Sequence, residues 1–264
     1  MELSLSKCNY EDLAADRADY LFTTTTALDG MWENAFFSMA NHWEISCQGQ
    51  PIGYCSVNSE GRMLGFVVHN FEMQRPAFAS CIEMLGVSGA FVSTAEPIYL
   101  SLCTDHQSAM SVYALMYMEG DEEPIVSPTP FGMNFRVAGP DDFDIAVSFG
   151  VATIQADRDW LSEYFAERIK QNELFGLWSG TELVATGECR ASPNQTCIAD
   201  VGMIVGTSHR KKGLASFMLQ KLRYVGRQKG LKLICSTENG NTGAQKAIER
   251  AGFVSQHRIL DFTF

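Results

Sequence analysis

The 264-residue chain lacks any run of about 18 consecutive apolar residues, the length a membrane-spanning helix needs, so no membrane partner is expected. It lacks a CxxC pair. Its eight cysteines, at 8, 47, 55, 81, 103, 189, 197 and 235, are scattered and mostly lie inside apolar, strand-like stretches. That pattern excludes a zinc ribbon and a disulfide framework, and it suits reduced, buried thiols in a cytoplasmic protein. The opening "MELSLSKCNYEDLAADRADY" is acidic and has no signal-peptide core. The five histidines show no metal-ligand spacing, so no metal is expected. Basic residues are scarce: 20 Lys and Arg against 31 Asp and Glu leave a net charge of −11. Phosphate backbones are bound by clustered cations, so a nucleic-acid partner is not expected. No GxGxxG follows a strand and no GxxxxGK[ST] occurs, which excludes the dinucleotide fingerprint and the P-loop.

What is present is an ordinary globular composition, 46% hydrophobic, 19% charged and 11% aromatic, in a length that suits one large or two medium domains. The segment "MEGDEEPIVSPTPFGM" (118–133) gathers acids, prolines and glycines between two patterned halves and marks a boundary near residue 130, giving domains 1–130 and 131–264. In the second half, Asp141 or Asp142 is placed to cap a helix starting in "GPDDFDIAVSF". "RDWLSEYFAERIKQ" has helical spacing at Trp160, Leu161, Tyr164, Phe165 and Ile169. "LFGLW", "ELVATGECR" and "TCIADVGMIV" read as strands joined by turns at "SGT" and "ASPNQ". Leu214, Phe217, Met218, Leu222 and Val225 recur at steps of three and four, with Gly230 as a stop. A buried strand "LKLICS", a short helix through Ala244, Ala247, Ile248 and Ala251, and strands in "FVSQHRILDFTF" complete the chain. This order predicts an α/β layer structure with a mixed sheet. The halves also look related. Trp43 and Trp178 lie 135 positions apart (178 − 43), as do Arg75 and Arg210 (210 − 75), Ala109 and Ala244, and "PIYLS" (97–101) and "KLICS" (232–236). Four anchors at one spacing point to a tandem duplication.

Within the second half, "IVGTSHRKKGLASFML" (204–219) sets three cations where a helix begins, in a chain that is otherwise acidic. Cations oppose the positive end of a helix dipole, so an anion at this place offsets their cost. A helix N-terminus already presents unpaired N–H groups to such an anion. Gly213 lets the backbone approach a ligand closely and Ala215 keeps the next turn small. Arg210, Lys211 and Lys212 supply charge-assisted bonds of roughly 1.5–3 kcal/mol each. A pyrophosphate satisfies these features together. Arg210-x-x-Gly213-x-Ala215, five residues after Val205, resembles the acyl-CoA signature R/Q-x-x-G-x-G/A of the GNAT (GCN5-related) N-acetyltransferase superfamily. Asn241-x-x-Ala244 followed by Gly252-Phe253 resembles that family's second signature. The resemblance covers roughly residues 134–264 and, more weakly, the first half.

The resemblance implies two tandem GNAT-like domains, each a mixed, mostly antiparallel, splayed sheet flanked by helices, the first a degenerate copy. It implies acetyl-CoA, or another acyl-CoA, as co-substrate of an N-acyltransferase, with a small-molecule amine or a protein N-terminus as acceptor; a homodimer is compatible with it. Met203, Ile204 and Val205 would meet the pantetheine arm and the thioester carbonyl. Arg210, Lys211, Lys212, Gly213, Leu214 and Ala215 would surround the pyrophosphate, and Asn241 would touch the pantetheine. Attack by an amine requires loss of its proton, and Asp200 and Glu188, on the strands nearest the acyl group, are the candidate bases. A backbone N–H near Ile204 would stabilise the oxyanion. Many members carry a tyrosine acid seven residues after the asparagine; here that residue is Ile248, which cannot donate a proton, although a thiol of pKa about 8.5 departs tolerably unaided. This departure keeps open the alternative of a non-catalytic acyl-CoA-binding regulatory protein. At the 135-residue offset Phe78 falls on Gly213 and Tyr113 on Ile248, so the first half is expected to shape an acceptor pocket or an interface.

Overall fold

The structure, a computed structural model, describes residues 2–30, 36–123 and 127–264. Its contacts form two compact units, Met1–Met116 with Gln256–Phe264, and Tyr117–Ser255. This division differs from a single cut near residue 130, because the last residues of the chain hydrogen-bond into the sheet of the first unit. Local composition marks a loop; it carries no information on which sheet a distant strand will join. Pro124–Val126 of the boundary segment lie outside the described residues. No helix among the described residues is long and apolar enough to cross a membrane.

The first unit runs β1 (Leu3–Cys8), α1 (Ala14–Leu21), β2 (Asn41–Cys47), β3 (Gln50–Val57), β4 (Arg62–Val68), α2 (Phe71–Leu85), β5 (Gly89–Ser93), α3 (Pro97–His106) and β6 (Ala109–Glu119), the last of which runs on past the unit's boundary at Met116. Strands β1 to β4 pair antiparallel in sequence order. β4 and β5 run parallel and pair only at Arg62↔Gly89 and Met63↔Ala90, so they splay apart beyond Met63. The chain's last strand then pairs antiparallel with β5 from Ile259↔Ser93 to Thr263↔Gly89. Phe78 and Tyr99 are fully buried, with the Phe78 ring edge-on to Phe66 at 5.0 Å.

The second unit follows with β7 (Met133–Val137), α4 (Phe143–Ile154), α5 (Arg158–Lys170), β8 (Leu174–Ser179), β9 (Glu182–Ala191), β10 (Ile198–Val205), α6 (Leu214–Gln228), β11 (Lys232–Glu238), α7 (Thr242–Arg250) and β12 (Phe253–Thr263), whose later part is the strand that joins the first unit. Its sheet order is β11-β10-β9-β8-β7. Leu161, Phe165 and Ile169 of α5 pack with Ala146 and Val147 of α4 against Leu174, Trp178 and Leu183. Asp142 sits at the N-cap of α4, but its carboxylate is spent on the Gly139 N–H at 2.8 Å and on Arg136, whose charge and hydrogen bond hold it below the usual carboxylate range. α6 buries Leu214, Phe217, Met218, Leu219 and Leu222 as its spacing requires, and also Arg223, which donates to Glu119 at 3.1 Å.

From β2 and from β8 onward the two units repeat the same order of elements, three strands, helix, strand, helix, strand, and Trp43 and Trp178 do fall on the matching strands β2 and β8. The other anchors do not match. "PIYLS" lies in helix α3 while "KLICS" lies in strand β11, and Arg75 and Phe78 lie inside α2. The reason is a turn between β10 and α6, residues 206–213, where the first unit has only His69 and Asn70 between β4 and α2. Asn70 therefore stands opposite Gly213, not Phe78. Its side chain accepts the Glu72 N–H at 2.9 Å, so α2 is capped internally and carries an acid in its first turn. Such a helix start has one fewer free N–H to offer an outside anion. The first unit thus differs from the second at this place by lacking the whole turn, not by a bulky Phe78.

Candidate active site

β10 pairs antiparallel with β9 from Ala199↔Ala191 to Val205↔Ala185, but in parallel with β11 only over Ile198–Asp200. Beyond Asp200 its other edge has no β11 partner, and Met203, Ile204 and Val205 lie on that open stretch. The chain then makes a short 3-10 turn (Thr207–His209) and extends at Arg210. It takes up left-handed geometry twice, at Lys211 (φ 62°) and at Gly213 (φ 80°). A left-handed non-glycine residue costs roughly 1–2 kcal/mol, so the turn is held in this shape by its surroundings. Arg210 is part of what holds it: Nε donates to the Val205 carbonyl at 3.3 Å and Nη2 to the Thr153 carbonyl at 3.4 Å. Its guanidinium ties the turn to the ends of β10 and α4. Lys211 and Lys212 are the exposed charges beside it.

Gly213 is the N-cap of α6, and no side chain caps that helix. The N–H groups of its first turn, including those of Leu214 and Ala215, are thus available to an outside acceptor. A Cβ at Gly213 would meet nothing within 4 Å, so the space over the glycine is open. Two lysines, an uncapped helix start and an unobstructed glycine make an anion cradle that fits a pyrophosphate. Leu214 is buried and anchors the helix, and Ala215 is half-buried.

The candidate bases occupy one face of the sheet. The register sets Glu188 opposite Gly202 and Arg190 opposite Asp200, so all four share the side covered by α4 and α5. Arg190 Nη2 lies 2.7 Å from Asp200 Oδ1, with both side chains below 10% exposed. Arg190 Nε also lies 3.6 Å from Glu188 Oε1. Burial works against the guanidinium charge, but the Glu188 and Asp200 carboxylates outweigh it and raise its pKa further. Asp200 is therefore locked in a buried ion pair. Glu188 is more open, and Tyr164 donates to its Oε2 at 2.5 Å. Burial, then the Glu188 charge, pushes the Tyr164 hydroxyl well above its ordinary range, so it remains a donor. Trp160, 40% exposed, stacks on Tyr164 at 5.2 Å and 8°. A Cβ on Gly202 would stand 2.5 Å from Glu188 Oε1. The glycine makes room for a carboxylate lying over β10, just before the open stretch at Met203.

Asn241 has a structural duty: its side-chain oxygen accepts the Ala244 N–H at 3.2 Å and caps α7. Ile248 is buried on the same helix. The sequence did not single out Arg190, Tyr164, Trp160 or Gly202. The alternation Glu188-Cys189-Arg190 on a strand, which puts two opposite charges on one face, was the available signal for Arg190; Trp160 and Tyr164 had read simply as part of a helical apolar stripe.

Residues 9–120 match a family model described as an acetyltransferase (GNAT) domain, and residues 144–253 match one described as the acetyltransferase (GNAT) family. A solved acetyltransferase from the GNAT family of Colwellia psychrerythraea is 35% identical, over 99% of this chain and 99% of that one, with a TM-score of 0.90. The chain belongs to the GNAT acetyltransferase family, and it carries two such domains in tandem. A tandem GNAT protein from the clavulanic acid biosynthesis pathway shares the fold over 100% of this chain and 98% of its own, with a TM-score of 0.72 at 13% identity. An uncharacterized N-acetyltransferase, YjdG, of Bacillus subtilis (strain 168) is 26% identical over 109 residues, which are 38% of this chain and 65% of that relative. The match thus spans less than two thirds of the relative's length.

Proposed function

We propose that the protein is an acyl-CoA-dependent N-acyltransferase, with acetyl-CoA as donor and an amine as acceptor, working from its second unit. The observation that carries this reading is the open anion cradle at Lys211, Lys212 and Gly213, next to the open edge of β10, whose antiparallel partner β9 bears Glu188. Bound acetyl-CoA supplies an activated acyl group on a thiol leaving group. The turn and the α6 N–H groups hold the diphosphate, and the backbone of Met203, Ile204 and Val205 lines the open edge for the pantetheine and thioester. Glu188 takes the proton of the attacking nitrogen, directly or through a water. Arg190 and Tyr164 fix the Glu188 carboxylate, and Asp200 holds Arg190, which makes Asp200 a positioning residue. The stacked Trp160 and Tyr164 rings beside Glu188 offer an aromatic face to an ammonium acceptor, either a small amine or a protein N-terminus. With Ile248 buried and aliphatic, the thiolate departs at its own pKa.

The alternative, an acyl-CoA-binding regulator without turnover, is favoured by that same Ile248. Release of free thiol from acetyl-CoA across a panel of amines separates the two. Turnover should fall about 10²- to 10⁴-fold in Glu188→Gln with acetyl-CoA affinity unchanged, which is the range for losing a general base. Binding without thiol release for any amine would support the regulator, and wild-type turnover in Glu188→Gln would remove Glu188 from the mechanism.

A further inference from the structure

The first unit has no anion cradle at α2, yet it keeps a cavity of about 30 Å³ lined by Arg17, Tyr20, Tyr54, Leu64, Gly65 and Glu96 among others. That volume admits about two water-sized groups. Arg17 is the unusual member. It is 8% exposed, and its guanidinium carbon lies 4.6 Å from the centre of the Tyr10 ring and 4.4 Å from that of Phe37. Among the described residues, no ion pair includes it. Its neighbour Asp16 faces His69 instead, at 3.7 Å. Glu96 lines the same cavity but is committed elsewhere: Tyr20 donates to Oε1 at 2.8 Å and the Ser93 N–H to Oε2 at 2.8 Å. Burial lifts the Glu96 pKa to about 7, which weakens it further as a counter-charge.

A buried guanidinium loses its hydration, and two ring faces return only part of that loss. A buried fork of N–H donors with no carboxylate is complementary to one. The remaining walls, Leu21, Leu28, Phe37 and Leu64, are apolar. Gly65 maintains the arrangement, because a Cβ there would stand 2.5 Å from the tip of the Phe37 ring and push it off Arg17.

We propose that this cavity of the first unit binds a short monocarboxylate, of formate to acetate size, with its carboxylate on the Arg17 guanidinium between Tyr10 and Phe37 and its other end toward Leu64. The site is separate from the acyl-CoA reading of the second unit and does not depend on it. Titration of the full chain with sodium formate and sodium acetate, against sodium chloride at equal ionic strength, tests it. Methyl-labelled acetate followed by NMR gives the readout. The expected result is saturable binding with a methyl shift from the Tyr20, Phe37 and Tyr54 rings that line the cavity, weakened at least tenfold in Arg17→Met and unchanged in Gly213→Phe. If Arg17→Met does not fold, Arg17→Lys keeps the charge, removes the fork, and should weaken binding at least threefold. Acetate behaving as chloride does, an unspecific anion effect only, would overturn the proposal. So would full affinity in Arg17→Met or Arg17→Lys.

Discussion

Replacing Arg190 by methionine removes the cation on which Asp200 depends. The two side chains are 6% and 7% exposed and 2.7 Å apart, so the variant takes from a buried carboxylate the guanidinium it is paired with. Removing one member of a buried pair costs about 3–5 kcal/mol. For a unit the size of Tyr117–Ser255 each kcal/mol moves the midpoint by about 3–5 °C, so melting of that unit should fall by about 10–20 °C. Thermal melts followed by circular dichroism measure this at pH 7.5 and again at pH 5. A buried carboxyl that has lost its guanidinium has a folded-state pKa above its unfolded value, so its penalty is full above the folded pKa and shrinks as pH falls through it. The deficit relative to wild type should thus be smaller at pH 5. Arg190→Met with Asp200→Leu removes both charges and should recover most of the loss. A single variant within about 1 kcal/mol of wild type, or a double variant no better than the single, would refute the assignment of Asp200 to a structural ion pair.

Two further outcomes follow from the same site. Gly202→Ala places a Cβ against Glu188 Oε1 and displaces the carboxylate from its Tyr164 bond, so stability should drop by about 1–3 kcal/mol while thiol release falls at least tenfold; a melt paired with the turnover assay checks both. Tyr164 and Tyr20 are each pushed far above the ordinary phenol range by burial and by the carboxylate they bond, so neither ionises near pH 10 to 11. Wild type and Tyr164→Phe should therefore develop equal phenolate absorbance up to pH 11, and a deficit of one phenolate in the variant would contradict the buried Tyr164–Glu188 bond.

Strands β8, β9 and β10 and helices α5 and α6 were legible because their apolar spacing is local. β7 was not, since its side chains are mostly exposed and it exists by pairing with β8. Arg223 shows the limit of helical spacing: a charge next to the apolar stripe, it is 2% exposed because Glu119, 104 residues earlier, receives it. The duplication was legible, but its constant offset was not, since the longer turn before α6 shifts every later element. In the site, the cradle at Lys211 to Gly213 followed from residue types alone. Arg210 followed only in part, because which acceptors its fork would find depends on where α4 ends. Glu188 and Asp200 looked equivalent until the register put Arg190 beside Asp200 and a glycine beneath Glu188.

The central claim is that the turn before α6 holds the diphosphate of acyl-CoA. Calorimetric titration of the wild type and of Gly213→Phe with acetyl-CoA tests it most directly. A side chain at φ 80° costs roughly 1–2 kcal/mol and fills the space left open over the glycine. The account predicts micromolar binding by the wild type and at least a thirtyfold loss in the variant, with the folded state retained. No binding by the wild type, or equal affinity in both proteins, would contradict it.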